Sequence, residues 1–379
     1  MKTALVSVIN DLSTDERVHK ICCTLQKLGY EVTLIGRKQR NSLPLAKRNY
    51  STIRMNLLFE KGSLFYIEFQ LRLFLLLAFK KADVLFSNDL DTLLPNYLIS
   101  KIKKKIVVYD THELFCEVPE LMNRPLKKRI WKTLEKRIFP KLKYVFTVNN
   151  SIAAAYLNEY HVPVHAVRNV PFLSKQQTDF KITRTDLGIT DDKKIIVLQG
   201  AGINMDRGAE EAIQAMHYLN DAVLIIIGSG NVIDTLKQMT MDLKLQHKIT
   251  FINKLPFEQL VQYTKIADIG ISLDKDTNMN YRYSLPNKLF DYIHAGIPVI
   301  TSDLIEVRTI VNQYNIGTII QNHSPQHIAQ VFTNTLKDTE TLFKWKQNTI
   351  KAAAELNWEK EEKIIMSVFE PFNNANNAE

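Results

Sequence analysis

Short apolar runs alternate with amphipathic segments along the whole chain. The first run, TALVSVI, precedes a segment in which Val18, Ile21, Leu25 and Leu28 recur with a helical period. Four further apolar runs follow in the first half: EVTLIG, DVLFSN, KIVVYD and YVFTVN. Because buried parallel strands read as continuous apolar runs joined by helices, this pattern predicts a doubly wound parallel α/β sheet.

The same pattern restarts after a polar, poorly periodic stretch at residues 168–188. Its apolar runs are DDKKIIVLQG, AVLIIIGSG, KITFIN, ADIGISL, IPVITS and GTIIQN. We therefore predict two Rossmann-like domains, residues 1–170 and 171–355, with an amphipathic helix at 356–372 packing back on the first domain and a disordered tail at 373–379. Ligands of such sheets bind beyond the carboxyl ends of the strands, so the prediction includes a cleft between two facing sheets.

Composition indicates an ordinary globular protein, with 45% hydrophobic and 23% charged residues. The three cysteines, Cys22, Cys23 and Cys116, form no disulfide framework or metal-ligand spacing and favour a reducing compartment. No signal peptide is visible, and Glu68 and Arg72 interrupt the longest apolar stretch before it reaches the length of a membrane span. We expect a soluble, cytoplasmic chain.

Positive charge is concentrated in the first half of the chain. Residues 1–170 carry a net charge of +13 and the remainder −4, within a total of +9. Such asymmetry suggests an anionic partner, which could be nucleic acid, an acidic membrane surface or a phosphorylated lipid. The basic segment 123–143 also carries an apolar stripe, so it predicts contact with an anionic membrane surface; a solvated helix over a core is equally consistent.

The segment SLPNKLFDYIHAGIPVI predicts a helix that begins at Ser284 and ends at Gly296. First-turn N–H groups and the helix dipole favour an anion, and Lys288 would add a full positive charge. Asp291, three residues on, could accept hydrogen bonds from the hydroxyls of a ribose. The alternative is a salt bridge between Lys288 and Asp291 on a solvated helix face.

A glycine-rich loop, QGAGINMDRG, follows the strand IIVLQ. Gly200, Gly202 and Gly208 would let backbone approach a ligand closely, and Arg207 could share a diphosphate with the next helix. The loop matches neither the Walker pattern nor the dinucleotide fingerprint.

Polar residues also end two strands of the first half. YDTHELF places Asp110, His112 and Glu113 at a carboxyl end, where His112 is either a cleft residue or a capping or core histidine. NDLD at 88–91 and DKD at 274–276 have the Asp-x-Asp form, but Asp89 and Asp91 could equally cap a helix. We predict no metal site.

Taken together and in order, these segments resemble the retaining glycosyltransferases of family 4, which have the two-domain GT-B fold. The resemblance covers essentially the whole chain. It rests on DERVHK, LGYEVTLIG, NDLDTLLP, YDTHELF, RNVP, QGAGINMDRG, IIIGSG, ADIGISL, PNKLFDYIHAGIPVI and the closing helix from Trp358.

The resemblance implies sugar transfer from a nucleotide donor, held by the C-terminal half, to a saccharide or lipid-linked acceptor, held by the N-terminal half. It implies no cofactor, no metal and no nucleic acid. The catalytic residues implied are His112, Arg207 and Lys288. The donor-binding residues are Gly200, Gly202, Arg207, Gly228, Ser284, Asn287, Lys288, Leu289 and Asp291, and the acceptor-binding residues are Asp11, Arg17, Asp89 and Glu113.

The chain departs from the family pattern in two places. Asp291 stands where the second Glu of the acidic motif is expected, and Tyr283 stands where the first is expected. The Gly-Gly pair of the first N-terminal loop is replaced by NDLSTDERVHK. The first departure bears on the contact to the donor sugar.

The mechanism that the resemblance implies needs no enzyme nucleophile, because the acceptor hydroxyl arrives on the face from which the phosphate leaves. Its expected setting is synthesis of cell-surface polysaccharide or lipopolysaccharide at the inner membrane face. The alternatives are a nucleotide-sugar epimerase or a phosphorylase of the same fold, and a non-catalytic nucleotide- or nucleic-acid-binding protein. Binding that falls steeply with salt and needs no nucleotide would indicate the last.

Overall fold

The computed structural model describes residues 2–13, 15–40, 42, 44–173 and 180–374, with side chains as far as 372. The chain divides into two compact units. Unit 1 comprises residues 1–169 and 360–379, and unit 2 comprises residues 170–359.

Unit 1 is built on a seven-stranded sheet in which every neighbouring pair is parallel. The strand order is β3-β2-β1-β4-β5-β6-β7. The strands are β1 (Lys2–Asp11), β2 (Tyr30–Lys38), β3 (Ser51–Asn56), β4 (Val84–Asn88), β5 (Ile106–Thr111), β6 (Tyr144–Thr147) and β7 (His165–Ala166).

Unit 2 repeats this plan with six parallel strands in the order β10-β9-β8-β11-β12-β13. They are β8 (Lys194–Gly200), β9 (Ala222–Gly228), β10 (Ile249–Asn253), β11 (Ile269–Ser272), β12 (Val299–Thr301) and β13 (Gly317–Ile319).

Helices connect most successive strands in both units, although β3 follows β2 directly and α13 and α14 follow the last strand of unit 2. Unit 1 has α1 (Glu16–Lys27), α2 (Gly62–Phe79), α3 (Leu90–Lys103), α4 (Pro119–Met122), α5 (Pro125–Ile138) and α6 (Asn150–Tyr160). Unit 2 has α7 (Ala209–Ala215), α8 (Ile233–Asp242), α9 (Phe257–Lys265), α10 (Met279–Arg282), α11 (Asn287–Ala295), α12 (Ile305–Tyr314), α13 (Pro325–Lys337) and α14 (Thr339–Glu355). The last helix is α15 (Trp358–Asn374).

Both faces of the unit 2 sheet are buried, which explains why its strands read as continuous apolar runs. Alternate residues of β8 point to opposite faces: Ile196 and Leu198 pack in one hydrophobic cluster, Ile195 and Val197 in another. In unit 1, Leu5 and Ile35 of the sheet pack against the inner face of α2.

Helix α15 belongs to unit 1 from Lys360 onward. Glu361 pairs with Arg168 at 2.6 Å, and Glu362 pairs with Lys27 at 2.7 Å. Phe369 is fully buried and meets Tyr30 edge to face. The helix reaches Asn374, so the predicted tail begins two residues too early, and residues 375–379 lie outside the described part of the chain.

A second predicted boundary is also wrong: the helix expected to begin at Ser284 begins at Asn287. Pro286 has extended backbone and precedes the first helical residue, and a proline disfavours helical backbone in the residue before it. Ser284 therefore lies in a turn after α10, where its N–H donates to the carbonyl of Tyr281 at 3.0 Å. The predicted end at Gly296 is confirmed by its left-handed φ of 78°.

The predicted fold class is confirmed, since each unit is a doubly wound parallel sheet of the Rossmann type, as in GT-B proteins. The predicted cleft between the units stays a prediction. In each sheet the strand order reverses at one place, between β1 and β4 in unit 1 and between β8 and β11 in unit 2. Ligands of open α/β sheets bind at such switch points, beyond the carboxyl ends of the strands.

Candidate functional site

The switch point of unit 2 brings together segments that are far apart in sequence. Strand β8 ends at Gly200 and leads to the loop that carries Arg207, while β11 ends at Ser272, two residues before Asp274. Because β8 and β11 are parallel neighbours, both segments leave the sheet at the same edge. The start of α11, with Lys288, meets them there.

The glycine-rich loop is held by the strand beside it. Gly200 pairs with Gly228, and a Cβ added at Gly228 would lie 1.8 Å from the carbonyl oxygen of Gly200. The φ of Gly228, 137°, also favours glycine. At Gly202 an added Cβ would meet only Asn204 Nδ2, at 3.8 Å, so the fold itself does not require a glycine there.

Asp274 joins the two predicted diphosphate-binding cations. Its Oδ2 accepts from Arg207 Nη1 at 2.9 Å, and its Oδ1 accepts from Lys288 Nζ at 3.2 Å. The Asp274 side chain is fully buried, whereas the Arg207 and Lys288 side chains are 25% and 12% exposed. One carboxylate thus fixes two cations at the switch point and leaves the group of three with a net positive charge.

Arg207 has a second support and spare hydrogen-bonding capacity. Its guanidinium carbon lies 4.1 Å from the ring centroid of Tyr281, in cation–π geometry. Burial would lower the pKa of Arg207, but the charge of Asp274 and the contact with Tyr281 outweigh it and raise the pKa. Within the described residues, Arg207 Nε is buried without a hydrogen-bond acceptor.

The pKa of Lys288 shifts in the opposite direction to that of Arg207. Burial lowers the pKa of Lys288 below its ordinary value and the positive charge of Arg207 acts in the same direction, while Asp274 opposes both. A second anion beside Lys288 would favour its protonated form. The ammonium group is therefore placed where an anionic ligand stabilises it.

Asp291 is held by a different residue. Gln199 donates from Nε2 to Asp291 Oδ2 at 3.1 Å, and Gln199 Oε1 accepts from Thr264 Oγ1 at 2.6 Å. The Lys288 ammonium is bonded to Asp274. Lys288 and Asp291 therefore contact different partners and do not form the salt bridge with each other that was the alternative interpretation.

The remaining predicted donor-binding residues lie around the same helix start. Asn287 is exposed at the first position of α11, and Ser284 Oγ is buried without a partner among the described residues. The Leu289 side chain is fully buried in the core, so any donor contact of Leu289 would be made by its backbone. Their roles in donor binding stay predictions.

In unit 1, His112 lies between two carboxylates. Its Nδ1 is 3.2 Å from Asp89 Oδ2, and its Nε2 is 3.3 Å from Asp110 Oδ2. Burial would lower the pKa of His112, but Asp89 and Asp110 outweigh it and raise the pKa to about 9. The two carboxylates therefore favour the protonated form of His112.

Arg17 supports this histidine through Asp110. Its Nε and Nη2 donate to the two oxygens of Asp110 at 2.9 and 2.7 Å, and its Nη1 donates to the carbonyl of Val167 at 2.7 Å. Both side chains are almost fully buried. Burial would raise the pKa of Asp110, but Arg17 and His112 hold it well below its usual range.

Asp89 adopts an unusual backbone conformation, with a φ of 59° and a ψ of 167°. Its Oδ1 accepts from the backbone N–H of His112 at 2.9 Å, so it binds His112 through both backbone and side chain. Such strain, on the order of 1–3 kcal/mol, persists where surroundings enforce it and concentrates at functional sites. Although Asp89 is the N-cap residue of α3, its side chain does not cap that helix.

Asp11 and Glu113 complete the predicted acceptor residues. Asp11 pairs with Arg54 at 2.7 Å and accepts from Ser42 and from the N–H of Ser13. Glu113 is half-buried directly after His112. The acceptor contacts of Asp11, Arg17, Asp89 and Glu113 stay predictions. Among the described residues, no cluster of three or more His, Cys, Asp or Glu side chains is arranged to hold a metal ion.

The sequence interpretation missed the function of Asp274, which it weighed only as half of an Asp-x-Asp pattern. The missed signal was positional: Asp274 follows β11 by two residues. Only the strand order shows that β11 lies beside β8, which brings Asp274 to Arg207.

Two curated relatives have similar sequences. An uncharacterized glycosyltransferase of Methanocaldococcus jannaschii is 25% identical over 158 residues, which are 41% of this chain and 39% of that protein. The chitobiosyldiphosphodolichol beta-mannosyltransferase of Debaryomyces hansenii is 24% identical over an alignment covering 94% of this chain and 85% of that protein.

Solved structures share the fold across the whole chain. Sucrose-phosphate synthase from Thermosynechococcus elongatus has a TM-score of 0.81 and 14% identity, covering 99% of this chain and 100% of that one. Anabaena Alr3699/HepE in complex with UDP and glucose has a TM-score of 0.73 and 13% identity, covering 98% and 100%.

Two family models match consecutive parts of the chain. Residues 16–171 match the model described as Glycosyltransferase Family 4, and residues 179–352 match the model described as Glycosyl transferases group 1. The first lies in unit 1 except for its last two residues, and the second lies in unit 2. The chain therefore belongs to the group 1 glycosyltransferases with the GT-B fold.

Proposed function

We propose that this glycosyltransferase moves a sugar from a nucleotide-sugar donor to a saccharide or lipid-linked acceptor, with retention of the anomeric configuration. One observation carries the proposal: Asp274 holds Arg207 and Lys288 together at the switch point of unit 2. Two cations with one carboxylate leave a positive site suited to a diphosphate. The complex of the Anabaena neighbour with UDP and glucose supports a nucleotide donor.

Each chemical group of the nucleotide-sugar has a predicted partner in unit 2. Arg207 and Lys288 bind the diphosphate, with Arg207 Nε as a further donor that has no acceptor within the described residues. Gly202 leaves room for the ligand beside the loop backbone. Asp291, held by Gln199, accepts hydrogen bonds from the hydroxyls of the ribose.

Unit 1 holds the acceptor. The proposed contacts are Asp11, Asp89 and Glu113, while Arg17 acts through Asp110, to which it is already bonded. The His112 imidazolium presents positive charge at the carboxyl end of β5, where the reacting sugar would lie. We propose that His112 contacts that sugar.

Transfer follows from charge stabilisation and needs no enzyme nucleophile. As the bond to the diphosphate breaks, negative charge develops on the leaving oxygen, and fixed cations stabilise that charge more in the transition state than in the ground state. The acceptor hydroxyl attacks from the side on which the diphosphate leaves and passes its proton to the leaving phosphate oxygen, so configuration is retained. Because Arg207 and Lys288 supply the positive charge, we propose that catalysis is metal-independent.

The proposed setting is synthesis of cell-surface polysaccharide or lipopolysaccharide at the cytoplasmic face of the plasma membrane. The name of the Debaryomyces relative contains a diphosphodolichol group, which supports a lipid-linked acceptor. The predicted contact of residues 123–143 with an anionic membrane is part of this proposal.

Thermal-shift measurements with a panel of nucleoside diphosphates and their sugars test the donor site. A ligand stabilises the folded state in proportion to the logarithm of its concentration over its dissociation constant, so the largest shift identifies the donor. We expect Arg207→Ala and Lys288→Ala each to weaken nucleotide binding at least about tenfold, because each removes a cation worth more than ~1.4 kcal/mol of binding free energy.

Arg308→Ala is the matched control, since Arg308 is an exposed arginine of the same unit that pairs only with Asp303 among the described residues. Wild-type binding by both site variants would contradict the proposed site. With the donor identified, NMR of the product reads the anomeric configuration, and an inverted product would contradict retention.

A further inference from the structure

Helix α2 exposes an apolar stripe to solvent. Its inner face is buried, with Phe65, Phe69, Leu73 and Leu77 at most 5% exposed. The opposite face carries five large apolar side chains that are 46% to 86% exposed: Leu64, Ile67, Leu71, Leu75 and Phe79. They follow one another at intervals of three or four residues, so they lie in one row along the helix.

The exposed apolar surface continues beyond the helix. Leu58 and Phe59, which precede α2, are 77% and 43% exposed. Their N–H groups donate to the Glu68 carboxylate at 2.9 and 3.0 Å, which holds them beside the stripe. We call these seven side chains the α2 surface. An exposed apolar row of this length is unusual in a soluble protein and marks an interaction surface.

The charged residues of α2 are neutralised within the protein. Glu68 accepts the two N–H bonds just described and pairs with Arg72 at 2.8 Å. Arg72 also donates to the carbonyl of Asn56 at 2.8 Å. Glu68 and Arg72 are the only Asp, Glu, Lys or Arg residues between Gly62 and Phe79, so the surface carries little net charge along its length.

Lysines stand at both ends of the apolar row. Lys61 is exposed at the N-cap, and Lys80 and Lys81 directly follow the last helical residue. Lys103 of α3 reaches the same end, donating to the carbonyls of Leu77 and Lys80 at 2.8 and 2.6 Å. An apolar row bounded by cations complements a lipid interface, where acyl chains lie below anionic headgroups.

We propose that the α2 surface docks unit 1 on an anionic lipid bilayer, with α2 lying in the plane of the interface. The apolar row enters the boundary between headgroups and acyl chains, while Lys61, Lys80 and Lys81 contact lipid phosphates. Helix α2 is long and apolar enough to cross a membrane by length and composition. A spanning α2 would remove Phe69, Leu73 and Leu77 from the unit 1 core, so it lies on the bilayer instead.

This surface differs from the predicted contact at residues 123–143. Two lysines of α5 in that segment are already paired: Lys128 with Glu117, and Lys132 with Glu135 and Glu159, all at 2.7 Å. Trp131 of α5 meets Tyr66 of α2 edge to face, so the two helices are neighbours. The α2 surface supplies the apolar contact, and α5 stays a predicted electrostatic one.

Co-sedimentation with vesicles tests the proposal, using phosphatidylcholine with phosphatidylglycerol against phosphatidylcholine alone. The variant carries Ile67→Gln, Leu71→Gln and Leu75→Gln. Because it removes apolar area that the bilayer would bury, we expect binding to mixed vesicles to fall at least about tenfold. Lys61→Glu, Lys80→Glu and Lys81→Glu together should abolish the preference for anionic vesicles.

The matched control carries Leu243→Gln, Phe343→Gln and Ile350→Gln, three exposed apolar residues of unit 2, and should bind vesicles like the wild type. Nucleotide-induced thermal shifts report whether the variants are folded, and they test the donor site independently of lipid binding. Full vesicle binding by the α2 variant overturns the proposal. So does a wild-type protein that ignores vesicles but forms a dimer that the α2 variant lacks.

Discussion

At the scale of single residues, Asp274 decides the charge of the donor site. Arg207 and Lys288 would repel each other without an anion between them, and Asp274 supplies that anion from a fully buried position. A carboxylate that pairs with both cations also fixes their positions before a ligand arrives. Preorganised cations cost less reorganisation during the reaction than mobile ones.

Asp274 therefore both supplies negative charge and fixes the positions of the two cations, and replacing it with asparagine separates these two effects. We expect Asp274→Asn to lower the free energy of unfolding by about 3–5 kcal/mol, because a buried ion pair loses one partner. The nucleotide-induced thermal shift should be larger than in the wild type, since the diphosphate then supplies the missing anion. Turnover should fall, because the cations are no longer held in place.

Asp276→Asn is the matched control, since Asp276 lies two residues away and pairs with the exposed Arg282. Its melting temperature and turnover should equal those of the wild type. An unchanged melting temperature in Asp274→Asn would show that Asp274 does not hold the cations.

His112 makes the stability of unit 1 depend on pH. Its pKa is raised from an ordinary value of 6.5 to about 9, so its stabilising contribution is complete below pH 6.5 and is lost as pH rises toward 9. The contribution is on the order of 3 kcal/mol. Asp89, Asp110 and Arg17 are the charged groups that set this balance.

Thermal unfolding between pH 6.5 and 9 checks this expectation. The melting temperature of the wild type should decrease across that range, and His112→Gln should flatten the decrease. His217→Gln, at an exposed histidine of unit 2, should leave it unchanged. Equal slopes in His112→Gln and the wild type would exclude a charged His112.

At the scale of elements, the two glycines that end β8 and β9 differ from the glycine in the loop. Gly228→Ala would press a methyl group against the Gly200 carbonyl, in a backbone conformation that alanine disfavours. We expect the free energy of unfolding to fall by about 1–3 kcal/mol or more. Gly202→Ala should leave it nearly unchanged but reduce the nucleotide-induced shift.

Differential scanning fluorimetry with and without nucleotide measures both changes, and each variant serves as the control for the other. A Gly202→Ala protein that binds nucleotide normally would show that this glycine does not face the ligand. A stable Gly228→Ala protein would contradict the close approach between β8 and β9.

Elements whose buried residues form a regular apolar pattern could be predicted from the sequence, whereas elements without such a pattern could not. Strands such as β8 read as apolar runs because helices cover both faces of the sheet. Strand β3 was missed because its residues, STIRMN, alternate polar and apolar types over a short length. Helix α2 was missed because apolar residues occupy its exposed face as well as its buried one, which hides the helical period.

At the scale of the whole molecule, sequence order predicted the fold class but not the strand order. The glycine-rich loop, Arg207 and Lys288 were found from local patterns, each on its own segment. Asp274 contacts both only because β11 lies beside β8, and that adjacency is a property of the folded sheet. Arg17 and Asp110 are 93 positions apart, and their ion pair likewise could not be read from spacing.

The division of the chain has a consequence for how the protein is built. Unit 2 is one continuous segment, residues 170–359, whereas unit 1 is formed from two separate ones. The N–H of Trp358 donates to the carbonyl of Pro171 at 2.8 Å, which fastens the two ends of unit 2 to each other. In topology, unit 2 is therefore a continuous domain inserted into the chain of unit 1, and unit 1 is a discontinuous domain.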